Sequence, residues 1–306
     1  MFGRDGGSWK YFAYIIPFLL VFGCIQITPP PPPTEEKIKI EFGGPQNVKI
    51  GGSSSFYLRI SNNLSKNLEN LRASFYSPDT PVSIAEKVIS LGDVESESSA
   101  EKNVSFSLGS NAINGLSYNI EGRVCFDYEQ EGIRTLAFAK GLTSYNLTEQ
   151  IEEGPLSISF EEIPTVLTLA PVMELRIKVR NEMNGDVTTK DVNSTPNSAI
   201  RGVEISLEKG DWMKNVVTKI SWVEKNISNA IQSDSYLTWN FGKSESFLVM
   251  QMRDGEKEIV IDIYADLDEA YSELESSDVL LSELQVKLDY TYCIELPTYT
   301  FQAVSY

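Results

Sequence analysis

The chain has 306 residues and carries 43 Asp and Glu against 26 Lys and Arg, a formal charge of −17 with the acids spread over its whole length. A phosphate-binding footprint needs clustered basic residues, so nucleic acid is excluded as a partner. There is no histidine, which removes His bases, His-centred triads and His metal ligands together, and the three cysteines, Cys24, Cys125 and Cys293, contain no CxxC pair for a zinc site and are too few for a disulfide-dense scaffold.

The first predicted element is an apolar run. No residue from Tyr11 to Thr28 is charged, Arg4 and Lys10 precede the run, and Glu35 and Glu36 come after it. As a helix it reaches about 27 Å, close to the hydrocarbon thickness of a bilayer. Residues 1–28 are therefore expected to anchor the chain, with 11–28 in the lipid, the positive flank in the cytoplasm and the bulk of the chain extracytoplasmic, at the cell surface. The stretch "LVFGC" at 20–24 resembles a lipobox, in which Gly23 precedes a lipidated Cys24, although Phe22 stands where that motif favours a small residue. A transmembrane helix, lipidation at Cys24 and a cleaved secretory signal all export the rest of the chain. Pro29 to Pro33 can form only extended polyproline II, so 29–37 is a stiff stalk.

Beyond the stalk the hydrophobic period is 2. "FYLRISNN" alternates Phe56, Leu58 and Ile60 with polar residues, "NVSFSL" alternates Val104, Phe106 and Leu108, and "YNIEGRVCFDY" alternates Tyr118, Ile120, Val124, Phe126 and Tyr128. Half-buried strands separated by turn-rich segments predict an all-β fold of sandwich type. The pattern also repeats. "LRI" at 58 recurs at 175, "LRASF" at 71 pairs with "VEISL" at 203, "LGDVE" at 91 with "FGKSE" at 241, "EKNVSFSL" at 101 with "EKEIVIDI" at 256, and "VCFDY" at 124 with "VKLDY" at 286. The offset only grows, from 117 to 162 residues, as it does when a second copy has longer connections. Two tandem sandwiches are expected, at 38–148 and 154–306, with insertions in the second at 185–199, 211–239 and 265–278.

The stretches "KIGGSSSFYLRISNN" and "MELRIKVRNEMNGDV" each end a strand on Asn before a turn and a further strand. In this they resemble the tandem Ig-like modules of archaeal and bacterial membrane-anchored surface proteins, adhesion-related domains of the CARDB type. The resemblance covers most of both copies and implies Ig-like sandwiches, extracellular display, and binding or spacing roles without catalysis. The 185–199 loop has no counterpart in the compact module.

Several features are candidates for function. The 211–239 insertion holds three of the four tryptophans, Trp212, Trp222 and Trp239, which form either a partner surface or the core of extra strands. "DIYADLDEAYSELESSD" at 262–278 gathers acids but lacks the glycine turn and spacing of a calcium loop; Leu267, Ala270, Tyr271 and Leu274 would share one face of a short helix. Paired carboxylates could serve a glycan hydrolase, but 43 acids make such pairs an accident of number. Cys125 and Cys293 oppose the apolar parity of their strands and lie in different copies, so two free thiols are expected. Tyr128 and Tyr290 are expected to tie corners rather than to react. Sequons stand at Asn63, Asn103, Asn146, Asn193 and Asn226 as possible glycosylation sites. Together these readings lead to a non-enzymatic, membrane-anchored surface protein that serves as a structural, adhesion or spacer module. It has no cofactor, and its partners are other envelope proteins or glycans. The alternative is a membrane-tethered accessory subunit that docks a partner of an envelope complex through the Trp-rich insertion, and a carboxylate-dependent glycan hydrolase stands third.

Overall fold

A computed structural model of the chain describes residues 36–141, 145–188, 200–220, 231–232, 235–241 and 256–305. The expected anchor, Cys24 and most of the proline stalk lie outside them. Among the described residues no helix is long and apolar enough to cross a membrane.

Among the described residues the fold is all-β with one short helix. In chain order the strands are β1 (Ile38–Gly43), β2 (Asn47–Lys49), β3 (Ser53–Asn62), β4 (Leu68–Tyr76), β5 (Val82–Ile84), β6 (Val88–Val94), β7 (Ser98–Leu108) and β8 (Ser117–Ala139). Next come β9 (Glu149–Ile151), β10 (Leu156–Ser159), β11 (Leu167–Thr168), β12 (Val172–Asn181), β13 (Asp186–Thr188), β14 (Ile200–Glu208), β15 (Met213–Ile220), β16 (Ile231–Gln232), β17 (Tyr236–Phe241) and β18 (Glu256–Ala265). Helix α1 (Leu267–Glu273) then leads to β19 (Leu280–Glu295) and β20 (Tyr299–Val304).

Three sheets result. One has the order β1-β3-β7-β5, a second β10-β12-β18-β15, and the third is a 12-stranded sheet whose path runs β16-β17-β14-β19-β8-β20-β2, with β4, β6, β9, β11 and β13 attached beside it. The two small sheets pack on opposite ends of the large one as sandwich-like layers. Phe56 of β3 meets Phe75 of β4 at 4.9 Å between ring centroids, Phe106 of β7 meets Phe301 of β20 at 5.0 Å, and Phe138 of β8 meets Trp212 at 4.9 Å. The alternating residues read from the sequence (Phe56, Leu58, Ile60, Val104, Phe106, Leu108, Tyr118, Ile120, Val124, Phe126 and Tyr128) are all buried in this core. Helix α1 is capped by Asp266, whose carboxylate accepts from the Asp268 and Glu269 amides. Lys214, 2.8 Å away, and those amides hold the Asp266 carboxyl below its ordinary pKa.

The expected boundary between 148 and 154 does not divide the sheets. Residues Glu36–Tyr306 form one compact unit. Strand β8 does not stop at Tyr128 but runs on to Ala139, paired along its length with β19 from Leu280↔Phe138 to Glu295↔Arg123. Strand β20, late in the second stretch, pairs with the start of β8 and, in parallel, with β2.

Within this unit the repeated motifs occupy matching places. Ile38 pairs with Asn62 where Leu156 pairs with Asn181. The Asn63 amide donates to the Lys37 carbonyl at 2.9 Å, as the Glu182 amide does to that of Pro155 at 3.1 Å. Asn62 Oδ1 accepts from the Leu64 amide and its Nδ2 donates to the Lys66 carbonyl; Asn181 does the same with Met183 and Gly185. Each side chain thus closes its own corner with one bond two residues on and another four residues on, which is why the strand ends at Asn in both copies. The asparagines match with an offset two residues greater than that of the two "LRI" stretches, a slip that leaves every side chain on the same strand face.

Candidate functional site

Four of the residues singled out by sequence, Cys125, Tyr128, Tyr290 and Cys293, converge on the β8–β19 ladder. Tyr128 and Tyr290, the last residues of "VCFDY" and "VKLDY", are direct ladder partners. Tyr128 Oη donates to the Glu153 carbonyl at 2.7 Å, and Tyr290 Oη to Gln130 Oε1 at 2.8 Å. Gln130 in turn donates through Nε2 to the carbonyls of Glu152 and Leu156, both at 2.8 Å. Tyr292 Oη donates to Asn181 Oδ1 at 2.8 Å and accepts from the Gly185 amide at 2.9 Å. Gly185 has no room for a side chain, because a Cβ would strike the Cys293 carbonyl and the Tyr292 ring. Tyr128 and, through Gln130, Tyr290 tie residues 152–156 to the ladder, and Tyr292 ties the 181–185 turn to it, which is a positioning role.

Burial raises the pKa of Tyr290 well above the ordinary phenol range and also raises that of Tyr128, where Glu152 and Glu153 add to the effect; burial takes Tyr299 to about 12. Their neutral forms therefore favour the fold at full strength below about pH 10, the value of a free phenol, and that stability is lost as pH rises toward the folded values. Unfolding free energy is expected to fall steeply above about pH 10, and Tyr290 alone contributes at most about 1.4 kcal/mol per pH unit. Urea titrations of wild type and of Tyr290→Phe between neutral and alkaline pH check this; equal alkaline slopes for the two would refute the assignment.

On the opposite face of the same ladder, Cys125 and Cys293 form a disulfide across 168 residues. This corrects the expectation of two free thiols. Parity rightly places both sulfurs on the face opposite Phe126 and Tyr292. It does not show that β8 and β19 are neighbours, with Cys125 directly opposite Cys293, or that β4 and β13 flank the pair, so that both residues are buried. Two residues further along β8, Asp127 is buried and fully engaged. It accepts from Thr291 Oγ1 at 2.6 Å and Asn70 Nδ2 at 3.1 Å, with Arg72 Nη2 at 3.8 Å.

Asp127 forms the floor of an open polar cleft of about 600 Å³, whose rim includes Lys66, Glu69, Asn70, Glu129 and Asp289. The cleft exists because β4 bulges between Leu68 and Arg72 and lifts away from β8 there, with Asn70 at a φ of 49°. Accepting from a hydroxyl and a side-chain amide beside a guanidinium, this carboxylate braces the bulge against β8. Among the described residues no group of three or more acids or cysteines is placed to hold a metal ion.

The remaining candidates are dispersed. Of the two alternatives for the tryptophans, Trp212 and Trp239 take the core position: both are buried, Trp212 packs on Phe138, and Trp239 lies on β17 opposite Ile205 of β14. Added strands needed their own core and used these rings for it. Trp222 lies outside the described residues, as do Asn193 and Asn226. Asn63, Asn103 and Asn146 are exposed. Asn63 Nδ2 donates to the Glu36 carbonyl, Asn103 points outward from β7, and Asn146 stands outside any strand just before β9. Asp262, grouped by sequence with the acids of α1, belongs instead to β18 and meets Lys219 Nζ at 2.6 Å.

One important residue left no signal in the sequence. Arg134, nine-tenths buried, donates to Glu149 Oε2 at 2.8 Å, to the Phe160 carbonyl at 2.8 Å and to the Ile163 carbonyl at 2.7 Å. A basic residue within an alternating strand reads as solvent-facing, and only the tertiary course of 160–163 makes it a clamp.

No protein-family model matches the chain, and no curated protein matches its sequence. Among solved structures it is similar to the secreted serine protease VesC from Vibrio cholerae, at 8% identity over 82% of this chain and 50% of that one, with a TM-score of 0.19. The chain thus spans about half the length of that protein. A protein of unknown function from Porphyromonas gingivalis W83 gives 10% identity over 78% of this chain and 87% of that one, with a TM-score of 0.21. Likenesses this distant carry no functional argument.

Proposed function

We propose that the protein is a non-enzymatic, extracytoplasmic pair of Ig-like β-sandwiches of the CARDB type, held at a membrane through residues 11–28, and that it serves as a structural, adhesion or spacer module at the cell surface. The observation that carries this reading is the Cys125–Cys293 disulfide. Such bonds persist in oxidising compartments and are reduced in the cytosol of most cells, so a buried one closing 168 residues favours export. The apolar run before the proline stalk supplies the means of export and retention. The Ig-like assignment is supported by the strand order, in which β1-β3-β7-β5 faces β4, β8, β20 and β2, and by the matching asparagine corners. A role without catalysis is supported by the bracing of Asp127 and by the neutral, buried phenols. The three exposed sequons suit a surface that can carry glycans at Asn63, Asn103 and Asn146.

Membrane fractionation combined with maleimide trapping tests the proposal. The protein is expected in the membrane fraction, with Cys125 and Cys293 unreactive until a reductant and denaturant are added. Recovery as a dissolved cytosolic species with both thiols reactive after denaturation alone would overturn it.

A further inference from the structure

The repeat has a geometric consequence at the ladder. Matching "VCFDY" with "VKLDY" makes Tyr290 the counterpart of Tyr128, and those two residues are each other's partner across the strands. A residue that pairs with its own counterpart lies on a two-fold axis, so the copies are related by a local dyad through this pair. The flanking positions obey it. Cys125 and Cys293, three residues from the dyad on one side, have Lys287 and Glu131 as counterparts on the other, and these are also partners, with Lys287 Nζ 3.9 Å from Glu131 Oε1. The parallel pairing of β2 with β20 is repeated by that of β11 with the end of β8. Strand β8 therefore begins within its own copy and ends as the last strand of the other, and β19 continued by β20 does the same in the opposite sense.

We propose that this joint is a closed dimer interface carried within one chain, and that the edge of β8 from Arg123 to Phe138 binds strand β19 of a second copy of this chain when the 140–148 connection no longer holds the two halves together. In that exchanged pair the Cys125–Cys293 bond joins two copies. The occupant is fixed by the register: a sixteen-residue antiparallel ladder with tyrosines at the dyad, a cysteine opposite a cysteine and a lysine opposite a glutamate accepts β19 and no arbitrary strand. Within the intact chain a short connection acts as a local concentration of about 1 mM, which suppresses exchange at ordinary dilution.

The test uses the full chain with a protease site inserted between the exposed Tyr145 and Asn146. Unlabelled and 15N-labelled chains are cut, mixed, reduced, unfolded and refolded with oxidised glutathione, which takes the two electrons and two protons released as the S–S bond forms and leaves as two thiols. Peptides containing Cys125 linked to Cys293 are then weighed. At about 10 µM the cut chains are expected to give mixed-isotope linkage in about half of these peptides, and uncut chains in about 0.5%, the hundredfold ratio set by the local concentration. Failure of the cut chain to refold where the uncut chain does, or separation of the two halves when the cut, folded protein is reduced without denaturant, would overturn the proposal.

Discussion

Replacing both Cys125 and Cys293 by alanine is expected to lower the unfolding free energy by about 3–5 kcal/mol and the melting temperature by about 10 °C. The bond closes a loop of 168 residues, and chain-entropy reasoning puts the cost of leaving so long a loop open in the unfolded state at about 5 kcal/mol. Packing adds little, because alanine keeps the Cβ atoms and loses only the sulfurs from a buried but narrow site. Reduction with a phosphine should give nearly the same loss without mutation. Denaturant titration of oxidised, reduced and double-alanine protein checks the expectation. A loss below about 1 kcal/mol in both altered forms would show that β8 and β19 hold their register without the cross-link.

The second large effect is expected at Arg134. Its guanidinium donates to two carbonyls and a carboxylate while nine-tenths buried. Arg134→Met keeps much of the apolar volume but leaves the Ile163 carbonyl without its donor; the Phe160 carbonyl still accepts from the Ile163 amide, and Glu149 is open enough to be hydrated. The expected loss is about 3 kcal/mol, the range for breaking a buried charged hydrogen-bond set from one side. Arg134→Lys should recover part of it, since an ammonium reaches one carbonyl but cannot span two. The contrast is Arg176, about half exposed between Glu174 and Glu258 on the outer face of β12, where the same change to Met should cost less than about 1 kcal/mol. Equal losses at the two positions in denaturant titrations would mean that burial is not what gives Arg134 its weight.

Much of the architecture is legible in the sequence. Alternation places Phe56, Leu58 and Ile60, and Val104, Phe106 and Leu108, on buried faces because a pleated strand with one face in water repeats every second residue. The recurring motifs mark strands with matching neighbours, as at β1–β3 and β10–β12, where Asn62 and Asn181 close equivalent corners. Helix α1 is visible in the spacing of Leu267, Ala270, Tyr271 and Leu274, which pack toward the core. What alternation cannot carry is which strand lies beside which. Nothing local to Cys125 says that its neighbour across the ladder is Cys293, and nothing after Tyr128 says that the strand runs straight on, since a turn there would preserve the same polar and apolar spacing. Arg134 and the tryptophans escape for a related reason. An arginine in a strand, or an aromatic in an insertion, takes its role from the segment that covers it, and that segment is distant in sequence.

The parallel pairing of β2 with β20 also bears on how the molecule comes into being. Tyr299 donates to the carbonyl of Pro45, 254 positions earlier, and no shorter route completes that side of the large sheet. Newly made β2 and the first residues of β8 must wait, with bare amides and carbonyls on that side, until β20 has been made. Such late, long-range closure favours slow folding and leaves the half-made polypeptide adhesive.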